Sequence, residues 1–290
     1  MTMKRTALRL ALPKSYHWPT TPSIRAKAAI VIDARTGGTL FAKAANQPVY
    51  PASMTKMLTT LLLLEACADD ETFVVGDEVR LREDGESSAG LLEGEERTAG
   101  SLAEALMLAS GNDAARTVAR QLVRKHCGKT LSAERSMDYF AELMNWKARE
   151  LGAANTRFAN AHGLHDPNHV STAADLARIA RRAMRNERFR ELAGRKVGED
   201  GRYRNRNLLL QPDSPFYDAA ATGLKTGFTS AAGYCLAASA SAGDVDLIAV
   251  ALRSTKDGRW TDVRKLLDYG FRLRRGIAER DCQNEKKRLF

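Results

Sequence analysis

Apolar residues form β-rich runs at both ends of the chain. Each end carries two runs separated by a short turn, which is the pattern of a β-hairpin. The four runs are residues 27–34, 39–43, 233–241 and 245–253. The first turn contains Gly37 and Gly38, and the second contains Gly243. We therefore predict one hairpin near each end of the chain.

The segment between the hairpins has the apolar spacing of helices, with apolar residues recurring every three or four positions. The predicted helices are residues 51–68, 101–124, 133–151 and 171–192. Ser101 is predicted to cap the second helix, with Glu104 three positions later. Ser171 or Thr172, together with Asp175, is predicted to cap the fourth.

After the second hairpin, residues 260–275 are predicted to form an amphipathic helix. Its packed side carries Val263, Leu266, Leu267, Tyr269 and Phe271. Hairpins at both ends with helices between them fit one antiparallel sheet built from the two chain ends, with an inserted helical lobe. The predicted fold class is α/β, of the α+β type.

The chain divides into one large predicted domain, residues 22–275, and two short ends. Residues 1–21 start basic and carry a short apolar patch that Arg9 interrupts, and no export signal core follows. We interpret this segment as either disordered or the remnant of an export region. Residues 276–290 are predicted to be a polar tail whose last part, from Glu279, is frayed.

Composition narrows the class of protein. A chain of 290 residues, 44% hydrophobic and 28% charged, can bury a sizeable core, which excludes fibrous and wholly disordered proteins. No run of about 18 apolar residues occurs, so no membrane span is predicted. The four cysteines lie far apart without a CxxC pair, which encodes neither a zinc ribbon nor a dense disulfide framework.

The net charge is +10, which indicates a nucleic-acid partner or an anionic surface such as a cell envelope. Arginines concentrate in residues 178–196 and 202–206, but these stretches contain no recognition motif and few aromatic residues. Glu187 and Glu191 also dilute the first stretch. We interpret both as solvated basic surface and predict no nucleic-acid partner.

Ser53 and Lys56 form the first candidate chemical group. They lie three positions apart at the start of a predicted helix, so their side chains share one face. A serine hydroxyl needs an adjacent base to act as a nucleophile, and a lysine kept neutral by burial and neighbouring cations can be that base. A solvated lysine next to a helix-capping serine is the alternative interpretation.

The second candidate group is Ser110-Gly111-Asn112, which interrupts an apolar helical pattern. Such an interruption is typical of a junction between two helices. In a catalytic interpretation, Ser110 carries a proton. Asn112 then supplies an amide that binds both a substrate carbonyl and a catalytic lysine.

The third candidate group precedes the run at residues 233–241. Gly227 allows a substrate backbone to approach a sheet edge closely, and Lys225 adds a fixed positive charge. Thr226 and Thr229 offer hydroxyls to a carboxylate, and Phe228 lies between them. A simple turn before a strand is the alternative.

These three groups together match a known motif set. S-x-x-K, S-D-N and K-T-G mark the active sites of penicillin-binding proteins and class A β-lactamases. Here 57 residues separate Ser53 from Ser110, and 115 separate Ser110 from Lys225, which leaves room for a helical lobe. The middle motif reads Ser-Gly-Asn, which suits the penicillin-binding proteins better.

The chain resembles the serine D-alanyl-D-alanine carboxypeptidases, low-molecular-mass penicillin-binding proteins of the peptidase S11 type, from about Pro22 to Phe271. The segments that carry the resemblance are IDARTGGTLFAKAANQPVYPASMTKMLT, LMLASGNDAA, FANAHGLHDPNHVSTAADLARIA, GLKTGFTSAAGYCLAASA and KLLDYGF. It implies a penicillin-binding-protein/β-lactamase-like transpeptidase fold in which residues 22–275 are the catalytic domain.

The resemblance also implies a mechanism. Ser53 attacks the carbonyl between the last two D-alanines of a peptidoglycan stem peptide, and Lys56 takes its proton. The backbone N–H groups of Ser53 and Phe228 form the oxyanion hole. Ser110 and Lys225 relay a proton to the departing D-alanine.

Other side chains are implied to hold the substrate and the base. Asn112 orients Lys56 and the substrate amide. Thr226, Thr229 and Arg259 hold the terminal carboxylate, although Arg253 is a second candidate for the arginine.

Water then hydrolyses the acyl-enzyme, again with Lys56 as base. β-Lactam antibiotics are implied covalent inhibitors that acylate Ser53, and no cofactor or metal is implied. Phe228 replaces a histidine that is frequent in the family, but only its backbone N–H is needed.

A histidine-rich segment offers a metal site as an alternative. His162, His165, His169 and Asp166 could supply ligands, but they lie in a Gly/Pro loop that the family resemblance already explains. We predict no metal there.

A β-lactamase-type deacylation glutamate is a further alternative. Glu142 is separated from Asn145 by three positions rather than four and lies within a helical run. We therefore do not expect efficient penicillin hydrolysis.

The expected function is removal of the terminal D-alanine from stem pentapeptides during cell-wall synthesis and remodelling. Endopeptidase activity at the same site and a catalytically silent wall-binding relative are the alternatives. Because peptidoglycan lies outside the cytoplasm, we expect the protein in the periplasm or cell envelope.

Overall fold

The structure, a computed structural model, describes residues 19–288. The strands in this range are β1 (Ala28–Asp33), β2 (Thr39–Lys43), β3 (Thr72–Val74), β4 (Glu96–Thr98), β5 (Ala221–Gly223), β6 (Thr226–Thr229), β7 (Gly233–Ala242) and β8 (Val245–Ser254). The α-helices are α1 (Lys56–Ala66), α2 (Ala99–Glu104), α3 (Asn112–Cys127), α4 (Ala133–Glu150), α5 (Ala173–Ala183), α6 (Glu187–Gly194) and α7 (Gly258–Arg288). Residues 1–18 and 289–290, which include most of the predicted N-terminal segment, lie outside the described residues.

One antiparallel sheet combines the two ends of the chain. Its strand order is β2-β1-β8-β7-β5, and β6 also pairs with β7. The hairpins β1–β2 and β7–β8 are those predicted from the sequence, and β1 pairs directly with β8. The prediction of a sheet assembled from both ends is therefore confirmed.

The sheet is buried on both faces, because side chains of a strand point alternately to opposite sides. In β8, Ile248 and Val250 belong to the core shared with the helical lobe. The alternate residues Leu247 and Ala249 point to the other face and belong to a second core, which contains Trp260 of α7. All six residues of β1 are buried for the same reason. The sheet is thus a rigid middle layer between α7 and the lobe.

Two of the predicted helices are interrupted. The second is α2 followed by a π-helical turn, residues Ala105–Ala109, and then by Ser110 in the left-handed conformation with φ +63°. The fourth ends at Ala183, and α6 begins with its own cap at Asn186. The first break falls at Ser110-Gly111-Asn112, the interruption of the apolar pattern that is typical of a junction between two helices. The apolar spacing gives no sign of the second break.

The capping predictions have different outcomes. Thr172 caps α5 and accepts a hydrogen bond from the Asp175 N–H, as predicted. The prediction for Ser101 is wrong. Thr98 is the cap of α2 and accepts from the Ser101 N–H, because the helix begins at Ala99.

The C-terminal helix is longer than predicted. α7 continues to Arg288, so the prediction of a frayed tail from Glu279 is wrong within the described range. Residues 277–288 contain no glycine or proline and are mostly strong helix formers, which explains the continuation. None of the helices within residues 19–288 has both the length and the apolar character needed to cross a membrane.

Asp262 of α7 ties both ends of the chain together. Its buried carboxylate accepts hydrogen bonds from the backbone N–H groups of Arg25 and Ala26, at 3.0 and 2.8 Å. It also accepts one from the Ser254 hydroxyl at 2.7 Å. These contacts fix the entry to β1 and the end of β8, the two strands that join the halves of the sheet.

We expect Asp262→Ala to lower the free energy of unfolding by about 2–4 kcal/mol, since two backbone donors and a hydroxyl lose their acceptor. Urea unfolding followed by circular dichroism measures the change. Asp268→Ala is the control, because Asp268 lies on the same helix in an exposed ion pair worth at most about 1 kcal/mol. Equal losses in the two variants would contradict this role for Asp262.

Candidate active site

Ser53 lies in a crowded 3₁₀ turn, residues Ala52–Thr55, that leads directly into α1. Ala52 has a left-handed backbone with φ +49°. A Cβ atom on Gly163 would lie 2.0 Å from the Ala52 carbonyl oxygen, and one on Gly227 would lie 3.1 Å from that of Pro51. The glycines therefore let a loop and strand β6 pack against the turn that presents Ser53.

Lys56 is fully buried one turn after Ser53. Its Nζ lies 3.1 Å from Ser53 Oγ. Nζ donates hydrogen bonds to Asn112 Oδ1 and to the carbonyl oxygen of His162, both at 2.6 Å. The structure thus brings together the predicted pair and Asn112, and it adds a backbone carbonyl that sequence reasoning missed.

The helix break places Ser110 and Asn112. The left-handed Ser110 ends the π-helical turn, and α3 starts afresh at Asn112. Both residues are buried, and both line the cleft that Ser53 faces. The interruption of the apolar pattern in the sequence therefore marks the point at which the chain turns toward Ser53.

Lys225 reaches the same region from the sheet. It is fully buried, and its backbone pairs with Ala237 of β7 just before β6 begins. Its Nζ donates to the Thr226 carbonyl oxygen at 3.3 Å. Burial and the positive charges of Arg206 and Arg259 lower the pKa of Lys225 to about 7.

The surroundings of Lys56 disfavour its protonated form. Burial is the largest cause and holds the pKa of Lys56 well below its usual 10.5. The positive charges of Lys225, Arg206 and Arg116 lower this pKa further, and the Glu86 carboxylate partly opposes them. Lys56 therefore meets the requirement for a lysine that acts as a proton acceptor.

The contacts of Lys56 also fix its direction. A neutral amine has two N–H bonds and one lone pair. The two N–H bonds are used by Asn112 Oδ1 and the His162 carbonyl oxygen, both of which can only accept. In the neutral amine the lone pair is then left for the Ser53 hydroxyl, 3.1 Å away, whereas the protonated amine donates its third N–H to Ser53 Oγ.

The outer part of the cleft carries the remaining predicted residues. The cleft has a volume of about 450 Å³ and is lined, among others, by Thr226, Gly227, Phe228, Thr229 and Arg259. Phe228 is half exposed and its ring packs on that of Tyr234.

The structure separates the two candidate arginines. The guanidinium of Arg259 lies over the rings of Tyr234 and Trp260, at 5.1 and 4.5 Å from their centroids, and its buried Nε has no hydrogen-bond partner within the described residues. Arg253 is exposed and does not line the cleft. Of these two candidates, Arg259 is therefore the one that a ligand in the cleft can reach.

Three charged residues at the site were missed by sequence reasoning. Glu86 belongs to an irregular loop, and its buried carboxylate pairs with Arg116 of α3. Arg206, also on a loop, lines the cleft and donates to Ser87 Oγ. Only Arg116 left a signal in the sequence, since it is a charged residue on the buried face of an apolar helix.

The histidines considered as metal ligands have structural contacts instead. His169 Nε2 pairs with Thr55 Oγ1 at 2.7 Å, and its Nδ1 accepts from the Ala159 N–H. His162 Nδ1 accepts from the Leu164 N–H. Within residues 19–288, no group of three or more His, Cys, Asp or Glu side chains could hold a metal ion.

Glu142 does not belong to the site. It lies on the exposed side of α4, outside the cleft lining. Asn145, on the buried side of the same helix, exchanges two hydrogen bonds with the backbone of Phe158. The helical interpretation of this segment is confirmed.

Solved structures with this fold cover most of the chain. The DD-transpeptidase of Streptomyces K15 superposes with a TM-score of 0.78 at 31% identity, over 87% of this chain and 99% of the other. Penicillin-binding protein 6B of Escherichia coli gives a TM-score of 0.76 at 32% identity, over 90% of this chain and 80% of the other. The predicted penicillin-binding-protein-like fold is therefore confirmed.

Sequence comparisons agree. D-alanyl-D-alanine carboxypeptidase DacF of Bacillus subtilis is 36% identical over 258 residues, which is 85% of this chain and 62% of the relative. DacC of Escherichia coli is 32% identical, again over 62% of its length, so the chain spans less than two thirds of both. Residues 16–256 match the family described as D-alanyl-D-alanine carboxypeptidase. The chain belongs to this peptidase S11 family.

Proposed function

We propose that the protein is a serine D,D-carboxypeptidase that removes the terminal D-alanine from peptidoglycan stem peptides through an acyl-enzyme on Ser53. One observation carries the proposal. A buried lysine with a lowered pKa lies 3.1 Å from the serine hydroxyl and donates to Asn112 Oδ1 and the His162 carbonyl oxygen. Family membership supplies the substrate class.

In the first step, Ser53 Oγ bonds to the carbonyl carbon of the scissile amide as its proton moves to Lys56 Nζ. The carbonyl oxygen becomes negative and needs donors. The backbone N–H groups of Ser53 and Phe228 take this role, supported by the packing of β6 against the serine turn. Removal of one such donor raises a barrier by about 3–4 kcal/mol.

In the second step, the amide C–N bond breaks and the departing D-alanine amine receives a proton. Ser110 and Lys225 relay to the amine the proton that Lys56 took from Ser53, which leaves Lys56 neutral for the next step. The pKa of Lys225 near 7 supports this role, because such a group exchanges protons readily at neutral pH. Ser110 lines the cleft on the side of the lobe, and Lys225 directly precedes Thr226, which lines it on the side of the sheet. This arrangement supports a relay through the two residues.

The free carboxylate of the substrate is held at the outer part of the cleft. Arg259 supplies the charge, while Thr226 and Thr229 supply hydroxyls. The unpartnered Nε of Arg259 supports this assignment, since a buried donor without an acceptor is costly unless a ligand satisfies it. Water then attacks the ester on Ser53, with Lys56 again accepting the proton.

Residues 22–275 form the catalytic unit in this proposal. β-Lactam antibiotics, whose amide imitates the scissile bond, acylate Ser53. The substrate places the protein outside the cytoplasm, in the periplasm or cell envelope, and the excess of positive charge suits an anionic wall.

We expect the wild-type protein to bind fluorescent penicillin covalently and Ser53→Ala to bind none, because only the hydroxyl can form the ester. Gel fluorescence measures the label, and circular dichroism checks that the variant folds. Mass spectrometry of a stem pentapeptide should show loss of one alanine with the wild type only. A folded wild-type protein that neither labels nor trims the peptide would favour a silent wall-binding protein.

Arg259→Leu is expected to lower kcat/KM for a peptide with a free C-terminal carboxylate by about 10- to 100-fold, the usual worth of a hydrogen bond to a charged group. For the same peptide with a C-terminal amide, the variant should change little. Arg253→Leu, at an exposed position beside the site, is the matched control. An equal loss with the acid and the amide would contradict carboxylate recognition by Arg259.

Lys225→Met should make the protein more stable at neutral pH. Between pH 7 and 10.5 the unfolded chain protonates Lys225 and the folded chain does not, so wild-type stability rises with pH in this range. The gain from the variant is on the order of 4 kcal/mol at pH 7 and falls by about 3 kcal/mol at pH 9.5.

Urea unfolding at the two pH values measures the gain, with Ser53→Ala as the control that leaves the pH dependence unchanged. A Lys225→Met protein that is less stable than the wild type at pH 7 would show that the ammonium of Lys225 is stabilised where it lies.

A further inference from the structure

An ion pair lies directly behind the predicted catalytic residues. Arg116 Nη1 and Nη2 donate to Glu86 Oε1 and Oε2, each at 2.7 Å. Both side chains are buried, with exposures of 2% for Arg116 and 0% for Glu86. None of the three motifs includes these residues.

The ion pair touches the asparagine that holds Lys56. Asn112 Nδ2 donates to Glu86 Oε2 at 3.1 Å, while Asn112 Oδ1 accepts from Lys56 Nζ at 2.6 Å. A carboxylate bound to arginine can only accept, so the amide must turn its Nδ2 toward Glu86. Its oxygen is therefore left facing Lys56.

Orientation matters because the reversed amide would fail. With Nδ2 toward Lys56, the amide could not accept an N–H from the amine. One of the two N–H bonds of Lys56 would then be free to point at Ser53 in place of the lone pair. The direction of the base thus depends on which end of the Asn112 amide Glu86 selects.

The same contacts hold one wall of the cleft. Glu86 belongs to the loop at residues 82–92, and the Ser87 carbonyl accepts from the Asn112 N–H at 2.8 Å. The Asp113 carboxylate accepts from the backbone N–H groups of Ala89 and Gly90. The start of α3 therefore binds both the loop and the base.

We propose that Glu86 and Arg116 are positioning residues of the acylation site, which fix the amide of Asn112 and thereby aim the lone pair of Lys56 at Ser53. The inference rests on the proposed function, because it assigns the pair a role in the acylation of Ser53. Neither residue touches the substrate in this account, and each acts through Asn112.

The opposite charges of Glu86 and Arg116 allow a second measurement, the pH dependence of acylation. The charged and titratable groups around Lys56 come from the lobe, the loops and the sheet: Glu86, Arg116, His162, His169, Arg206 and Lys225. Glu86 raises the pKa of Lys56 and Arg116 lowers it. Removing one partner should therefore shift the pH dependence of acylation in a direction that identifies which charge was lost.

The experiment compares Glu86→Gln, Arg116→Met and the wild type by stopped-flow acylation with fluorescent penicillin from acid to neutral pH. We expect Glu86→Gln to lower the acylation rate at least tenfold, since glutamine can donate as well as accept and no longer selects one amide orientation. The acid limb of its profile, where the acylation rate falls as Lys56 becomes protonated, should move to lower pH. Arg116→Met should also acylate slowly, but its acid limb should move to higher pH.

Arg116→Lys is a more conservative variant, which keeps the test possible if Arg116→Met does not fold. It keeps the positive charge but loses the two-pronged contact, so we expect a slower rate with the acid limb unmoved. Glu78→Gln is the matched control, because the buried carboxylate of Glu78 pairs with the partly buried Arg120 one turn further along α3. Per folded molecule, the control should keep the wild-type rate and profile.

The inference would be overturned if the folded Glu86 and Arg116 variants had the acylation rate and the pH profile of the wild type. The same loss of rate in Glu78→Gln would also overturn it, since that would reflect general damage to α3. A wild-type protein that penicillin never labels is a different outcome, which refutes the proposed function itself.

Discussion

The active site depends on one unfavourable placement: the amine of Lys56 is buried, and no carboxylate within residues 19–288 is in contact with it. Lys56 is surrounded by oxygens that accept hydrogen bonds but carry no full charge, and by cations that repel a proton. The protonated form of Lys56 is therefore disfavoured, which suits a base that takes a proton from Ser53. The Glu86 carboxylate opposes this tendency, but it is itself neutralised by Arg116.

The rest of the fold brings the groups around Lys56 together from distant parts of the sequence. Asn112 reaches Lys56 because the left-handed Ser110 ends the π-helical turn and α3 begins at Asn112. Lys225 arrives because β6 follows β5 along the edge of β7, in a sheet that unites both chain ends. Gly163 and Gly227 let the loop after His162 and strand β6 approach the serine turn more closely than a side chain would allow.

The sequence revealed those parts whose signal is local. The β-rich runs predicted both hairpins. The three motifs pointed to residues of which Ser53, Ser110 and Thr226 line one cleft. The interruption at Ser110-Gly111-Asn112 indicated a helix junction, and the structure has one there. Apolar spacing did not reveal the break before Asn186, because that turn leaves the apolar pattern intact. Glu86 and Arg206 lie on irregular loops whose position depends on long-range contacts, so no local pattern could predict that they line the site. The His162 carbonyl is invisible to residue identity, since every residue has one.

The most direct test of the account is the protonation state of Lys56 itself. In a protein labelled with ¹³C at the lysine Cε carbons, an NMR titration follows each amine, and Lys56→Met identifies the resonance of Lys56. The account predicts that this resonance titrates far below those of the surface lysines. If it titrates with them, at the ordinary lysine pKa, the amine is charged at neutral pH and cannot be the base that activates Ser53.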